Sequence, residues 1–186
     1  VISAFSSTIN FRTAYLFGAK SGSVAIAFLK NSLEAALVIA GAVSVFWIIA
    51  LPFTKDFFPT ADYLSLLLFT PIFAFGAMTA AYRGFLQGNF QFVAVAVLFF
   101  LEALSKLVIA WAFHATGQDD FIYVSIPLSI VLTALVGFVL TRNLMRAFPG
   151  TEEKAKESFP RPFFFASMAS SFSAVVFLSV DVILVN

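Results

Sequence analysis

The chain has 186 residues, of which 61% are hydrophobic and only 11% are charged, and phenylalanine alone occurs 26 times. A soluble domain carries about 25% charged residues, so this composition cannot cover a water-exposed surface. The net charge of +1 offers no electrostatic footprint for a nucleic acid. The absence of cysteine excludes disulfides and thiolate metal sites. Composition therefore predicts an all-α polytopic membrane protein.

Uncharged stretches long enough to cross a bilayer recur along the chain. A membrane-spanning helix needs about 20 mostly apolar residues, and backbone groups in hydrocarbon must be satisfied within their own segment, which favours helices. With turn residues as boundaries, we predict a bundle of six helices at about 1–18, 31–55, 62–87, 90–116, 121–146 and 162–186. Residues 24–30 are either an amphipathic segment at the membrane interface or the first turns of the second helix.

The basic residues of the predicted loops indicate the orientation of the helices. Eight of them fall on one side of the predicted bundle: Lys20, Lys30, Arg83, Arg142, Arg146, Lys154, Lys156 and Arg161. The other side has only Lys55. Because cytoplasmic loops are enriched in Lys and Arg, we expect loop 147–161 to be cytoplasmic and the first helix to run inward. An outward-facing N-terminus without an initiator Met predicts an internal fragment that lacks at least one preceding helix.

Two charges near the middle of the fifth apolar stretch need an explanation. Glu102 and Lys106 lie one turn apart on one helix face, and a charge at the bilayer centre costs about 3 kcal/mol on insertion scales. Pairing in this order along a helix lowers that cost. The two residues are either a self-neutralising pair packed in the bundle or part of a face that lines a hydrated cavity.

Three more ionisable residues lie within the predicted spans. Arg12 and Arg83 are near the cytoplasmic ends of their helices, where arginine either snorkels to lipid phosphates or faces a site. Asp181, near the end of the last stretch, is expected to pair with a cation or to be protonated. His114 is interpreted as an interfacial polar residue and not as a ligand.

Proline and small residues predict the shapes of two helices. Pro71 and Pro127 lie inside predicted helices, where a proline removes a hydrogen bond and favours a kink. A stripe of small residues recurs every four positions in helix 62–87, as Gly76, Ala80, Gly84 and Gly88. Such a stripe lets another helix approach closely, so we predict a packing role for it.

The sequence contains no catalytic or cofactor motif. It has one His and no Cys, and neither a metalloprotease, a nucleophile-elbow nor a phosphate-loop pattern occurs. The prediction is therefore a protein that is not an enzyme and holds no cofactor or metal.

Several segments resemble the polysaccharide flippases of bacteria. Tyr82-Arg83-Gly84-Phe85-Leu86-Gln87-Gly88 is similar to the Arg-Gly-x-x-Gln-Gly segment that ends the family's fourth helix, and Phe90 or Phe92 matches the aromatic residue after it. Glu102 and Lys106 match a Glu and base in the next helix, Arg12 a base in the second helix, and Ser179 to Val185 the Asp-bearing seventh helix. The matches cover essentially the whole chain in the correct order.

This resemblance implies the oligosaccharide branch of the multidrug/oligosaccharidyl-lipid/polysaccharide superfamily, with a two-lobe MATE-like fold. The chain would then hold family helices two to seven: residues 1–146 in the N-terminal lobe, 147–161 as a cytoplasmic loop and 162–186 as the first helix of the second lobe. The implied activity is to flip undecaprenyl-pyrophosphate-linked oligosaccharides across the bacterial cytoplasmic membrane, with H⁺ or Na⁺ as the coupling ion if transport is ion-coupled. The implied substrate-binding residues are Arg12, Arg83, Glu102, Lys106 and Asp181.

Three other functions stay open at this point. A multidrug or cation antiporter of the same superfamily would favour carboxylates in its cavity, whereas intramembrane bases outnumber carboxylates here. A membrane scaffold subunit without transport activity would use its polar residues only for helix contacts. A membrane-embedded transferase is disfavoured because catalytic groups are missing from the sequence.

Overall fold

A computed structural model of the chain describes residues 2–19, 22–54, 66–147 and 159–184. Within these ranges the secondary structure is helical and contains no strand, which confirms the all-α prediction. The long helices are α1 (Ile2–Ala19), α2 (Gly22–Thr54), α3 (Pro71–Gly88), α4 (Phe92–Ala115), α5 (Ser125–Ala147) and α6 (Arg161–Leu184), with a 3-10 helix at Asp119–Val124 before α5. Most of the predicted loop 147–161 and the cations Lys20, Lys55, Lys154 and Lys156 lie outside the described residues.

The helix boundaries show to which element residues 24–30 belong and where the two prolines lie in their helices. Residues 24–30 are the first turns of α2, which is one continuous helix of 33 residues. The prediction that Pro71 and Pro127 lie inside helices is wrong, since Pro71 begins α3 after a turn at residues 68–70 and Pro127 lies in the first turn of α5. In a first turn the backbone N–H has no helical acceptor, so a proline there removes no hydrogen bond.

Three stretches in the described ranges are long and apolar enough to cross a membrane: Gly22–Phe53, Phe92–Ala115 and Phe121–Arg146. Their outward surfaces are apolar, with Phe46, Phe53 and Val93 among the residues more than 70% exposed. A water-soluble fold does not present such a surface. The protein is therefore a helical membrane protein, and the six-span count stays a prediction.

The interior of the bundle is rich in small polar side chains. Thr8, Thr13, Ser129 and Thr133 are fully buried, and the Thr8 and Thr133 hydroxyls donate hydrogen bonds to carbonyls one turn earlier in their own helices. Small and hydroxylated residues let membrane helices approach closely. α1 and α5, which carry these four side chains, are accordingly less apolar than α2, α4 and α6.

The small-residue stripe of α3 packs against α1, as predicted. A Cβ atom added at Gly88 would lie 2.6 Å from the Thr13 Cβ atom and 2.7 Å from the Asn10 carbonyl oxygen. Gly84 meets Ser6 and Ile9 in the same way. Side chains at these two positions would force the helices apart.

Contacts between helices show that successive helices alternate in direction. α3 is parallel to α1, because Gly84 lies next to Ser6 and Gly88 next to Thr13. α6 is antiparallel to α1, because Phe11 stacks on Phe163 at 4.5 Å whereas Ser3, earlier in α1, is hydrogen-bonded to Ser171, later in α6. The ends of α1, α3 and α5 therefore share one end of the bundle with the beginnings of α2, α4 and α6.

Basic residues collect at this end, which is called the basic end below. The described cations in the half of the bundle nearest to it are Arg12, Lys30, Arg83, Arg142, Arg146 and Arg161. Asp119 and Asp120 lie at the opposite end. The positive-inside rule thus predicts that the basic end faces the cytoplasm.

Candidate functional site

Three charged side chains from α3 and α4 form a cluster within the bundle. The Arg83 guanidinium donates a hydrogen bond to the Oε2 atom of Glu102. Lys106 Nζ donates to the other carboxylate oxygen, Oε1, at 2.6 Å. One carboxylate is therefore shared by two cations, and the cluster of Arg83, Glu102 and Lys106 carries a formal charge of +1.

The cluster extends from near the basic end to the middle of the bundle. Arg83 precedes the end of α3 by five residues, and Glu102 follows the beginning of α4 by ten. At 1.5 Å per residue these positions are about 8 and 15 Å from the basic end. Since the hydrocarbon layer is about 30 Å thick, Glu102 is near the middle of a span.

An aromatic ring completes the surroundings of Arg83. The Arg83 Cζ atom lies 4.1 Å from the centroid of the Phe99 ring, on the same face of α4 as Glu102. A guanidinium over a ring face gains a cation–π interaction, worth about 2 kcal/mol when water is excluded. Phe99 and Glu102 together thus hold the guanidinium in one orientation.

The three members differ in accessibility. The Arg83 and Glu102 side chains are 15% and 19% exposed, whereas that of Lys106 is 38% exposed. Ser105, on the other side of Glu102, is buried. The cluster is therefore least accessible at Arg83 and Glu102 and most accessible at Lys106.

The structure brings only some of the predicted site residues together. Arg12 lies on α1, with its Cζ atom 5.1 Å from the ring centroid of Tyr15, apart from the cluster. Asp181 is in α6, but its side chain lies outside the described residues. His114 is exposed, as predicted for an interfacial residue, and its Nδ1 atom lies 2.8 Å from Asp119 Oδ1.

The contact between Arg83 and Glu102 is what the sequence analysis missed. Sequence spacing pairs Glu102 only with Lys106, and it leaves Arg83 as a snorkelling or cavity residue. A usable signal was the tight turn at residues 89–91, which makes α3 and α4 an antiparallel pair. The two residues differ by about 7 Å in distance from that turn, a gap that the long arginine side chain spans.

Two cavities lie between the helices, away from the cluster. The larger, of about 370 Å³, is lined by apolar side chains of α1, α2, α3 and α6, including Phe5, Ile39, Phe73 and Phe164. It contains no group suited to a polar ligand. The smaller, of about 300 Å³, lies between α2, α3 and α5 and includes Lys30 and Arg142 in its lining.

Comparisons of the chain with protein-family models, curated proteins and solved structures find no match. The class of protein is therefore defined by its own features, namely an apolar helical bundle that holds a charged cluster at membrane depth. Within the described residues, no three His, Cys, Asp or Glu side chains come together in a way that would hold a metal ion.

Proposed function

We propose that the protein is a membrane transporter that moves a lipid-linked oligosaccharide pyrophosphate across the bacterial cytoplasmic membrane. The observation that carries the proposal is the surplus positive charge of the cluster of Arg83, Glu102 and Lys106. The resemblance of residues 82–88, 102–106 and 179–185 to flippases adds the substrate class. In this proposal the chain contributes six spans, equivalent to family helices two to seven.

The charge balance of the cluster supports an anionic substrate. An uncompensated cation in hydrocarbon costs about 3 kcal/mol or more, so a cluster built only for packing would need no second base. Lys106 is the member with an exposed side chain, and phosphate is a natural partner for an ammonium or guanidinium group. A pyrophosphate entering from the basic end would therefore neutralise the surplus charge.

The same geometry disfavours a cation antiporter. Such a transporter needs a carboxylate that is available to bind its substrate or coupling ion. Both oxygens of Glu102 already accept hydrogen bonds from cations. Within the cluster, then, binding of a cation would require an existing ion pair to break.

A non-transporting scaffold is the alternative from another class. The bond between Arg83 and Glu102 joins two helices, and a structural clamp would use the same atoms. The two functions differ in what happens when all three charges are removed together. An ion cluster with a purely structural role can be replaced by apolar packing without loss of function. An anion-binding site cannot be replaced in this way.

The test is a triple substitution, Arg83→Met, Glu102→Met and Lys106→Met, which removes the cluster without leaving an unpaired charge or an unpaired amide. Substituting only Glu102 and Lys106 is insufficient because it would leave Arg83 without its carboxylate. The readouts are surface glycan and the accumulation of lipid-linked repeat units in the inner leaflet. We expect the triple variant to insert at parental levels and to lose glycan display.

Two further variants sharpen the result. Arg83→Lys keeps the charge but loses the forked donor geometry, so we expect partial display. His114→Ala, in an exposed pair far from the cluster, is the matched control and should display glycan normally. Parental display by the triple variant would reject transport through this cluster and favour the scaffold.

A further inference from the structure

The smaller cavity is lined by two cationic side chains from different helices. Lys30 on α2 and Arg142 on α5 both line it, together with Tyr82 of α3 and Thr141 of α5. No carboxylate is among its lining residues in the described part of the chain. The cavity is thus a concentrated positive site on a protein whose net charge is only +1.

A buried hydroxyl in the lining lacks a partner. Thr141 is 1% exposed, and its Oγ1 atom has no hydrogen-bond partner among the described residues. An unsatisfied buried hydroxyl is destabilising, and such groups usually have a water or ligand partner. The hydroxyl is a donor of the type that a phosphate oxygen accepts.

The position of the cavity relates it to the membrane surface. Lys30 follows the beginning of α2 by eight residues and Arg142 precedes the end of α5 by five. Both are therefore about 8 to 12 Å from the basic end, at the depth where headgroups meet hydrocarbon. The neighbouring lining residues Leu33, Phe138 and Met145 are apolar and suit acyl chains.

We propose that this cavity binds the phosphate of an anionic phospholipid from the leaflet at the basic end. Lys30 and Arg142 would contact the phosphate, and the Thr141 hydroxyl would donate a hydrogen bond to it. Basic pockets between helices on the cytoplasmic side are suited to such headgroups. The site is separate from the cluster of Arg83, Glu102 and Lys106, and it does not depend on the proposed transport activity.

The test measures binding of phosphatidylglycerol to the delipidated full chain by native mass spectrometry, with phosphatidylcholine as the neutral comparison. Each cation near a membrane surface contributes about 1 kcal/mol, so Lys30→Gln or Arg142→Gln should each weaken binding about fivefold. The double substitution should weaken it about 25-fold. The isosteric Thr141→Val should weaken it about threefold.

Arg146→Gln is the matched control, because Arg146 lies one turn beyond Arg142 and does not line the cavity. Its binding should equal that of the parent. Equal losses in Arg146→Gln and Arg142→Gln would mean diffuse surface attraction and would overturn the site. Parental binding by the double variant would also overturn it, and parental binding by Thr141→Val would reject the role of the hydroxyl.

A competition experiment distinguishes binding of a lipid from binding of a free anion. Inorganic phosphate is added as a competitor at the same concentration as the lipid. We expect little displacement, because free phosphate gains nothing from the apolar lining. Displacement of phosphatidylglycerol by equimolar phosphate would overturn the assignment to a lipid.

Discussion

The sharing of Glu102 between two cations predicts an unusual order of stability among cluster variants. Glu102→Gln keeps the shape of the side chain but leaves Arg83 and Lys106 without their carboxylate. Removing one partner of a buried ion pair costs about 3–5 kcal/mol. Lys106 is 38% exposed and can turn outward, so we expect a loss of about 3 kcal/mol in the free energy of unfolding.

Variants that remove a single cation should lose less free energy of unfolding than Glu102→Gln does. In Lys106→Met the carboxylate keeps Arg83, and because Lys106 is the most exposed member its pair is worth about 1 kcal/mol or less. In Arg83→Met the carboxylate keeps Lys106 but the contact with Phe99 is lost, so about 2 kcal/mol is expected. The triple neutral variant should be close to the parent, because a buried ion triad can be replaced by apolar side chains without loss.

Unfolding by sodium dodecyl sulfate in mixed micelles, followed by far-ultraviolet circular dichroism, measures these differences. The predicted order of stability, from highest, is the parent with the triple variant, then Lys106→Met, Arg83→Met and Glu102→Gln. The reasoning is refuted if Glu102→Gln is as stable as Lys106→Met. It is also refuted if the triple variant is as unstable as Glu102→Gln, since relief of the unpaired charges is the basis of the order.

The membrane topology and the packing of α1 against α3 can also be tested. In this cysteine-free chain, Thr151→Cys should resist an impermeant thiol reagent in intact cells and Gln118→Cys should react, because positive loops stay inside; the opposite labelling would invert the topology. Gly88→Leu should lower the free energy of unfolding by about 1–3 kcal/mol as its side chain collides with Thr13. Gly41→Leu, with no described atom within 4 Å of an added Cβ, should be at least as stable as the parent, because leucine favours a helix more than glycine does. Equal stability of the two leucine variants would contradict the close packing of α1 and α3.

Local properties of the chain were sufficient to predict its class and much of its helical order. Hydropathy and length act within one segment, so apolar runs such as 31–55 and 90–116 predict helices whatever surrounds them. The small-residue stripe ending at Gly88 can also be predicted from one segment alone, because residues four apart share one helix face. Opposite directions of successive helices are predicted where the connection is short, as between α1 and α2 and between α3 and α4.

Features that depend on helix rotation and on neighbours could be decided only by the tertiary structure. In the sequence, Pro71 lies within an apolar run and predicts a kink. Whether a proline removes a helical hydrogen bond, however, depends on where the helix begins. The contact of Arg83 with Glu102, and the meeting of Lys30 with Arg142 across a cavity, join residues on different helices. Sequence spacing constrains residues on one helix, whereas contacts between helices depend on crossing angle, rotation and side-chain reach, and these are set by packing of the whole bundle.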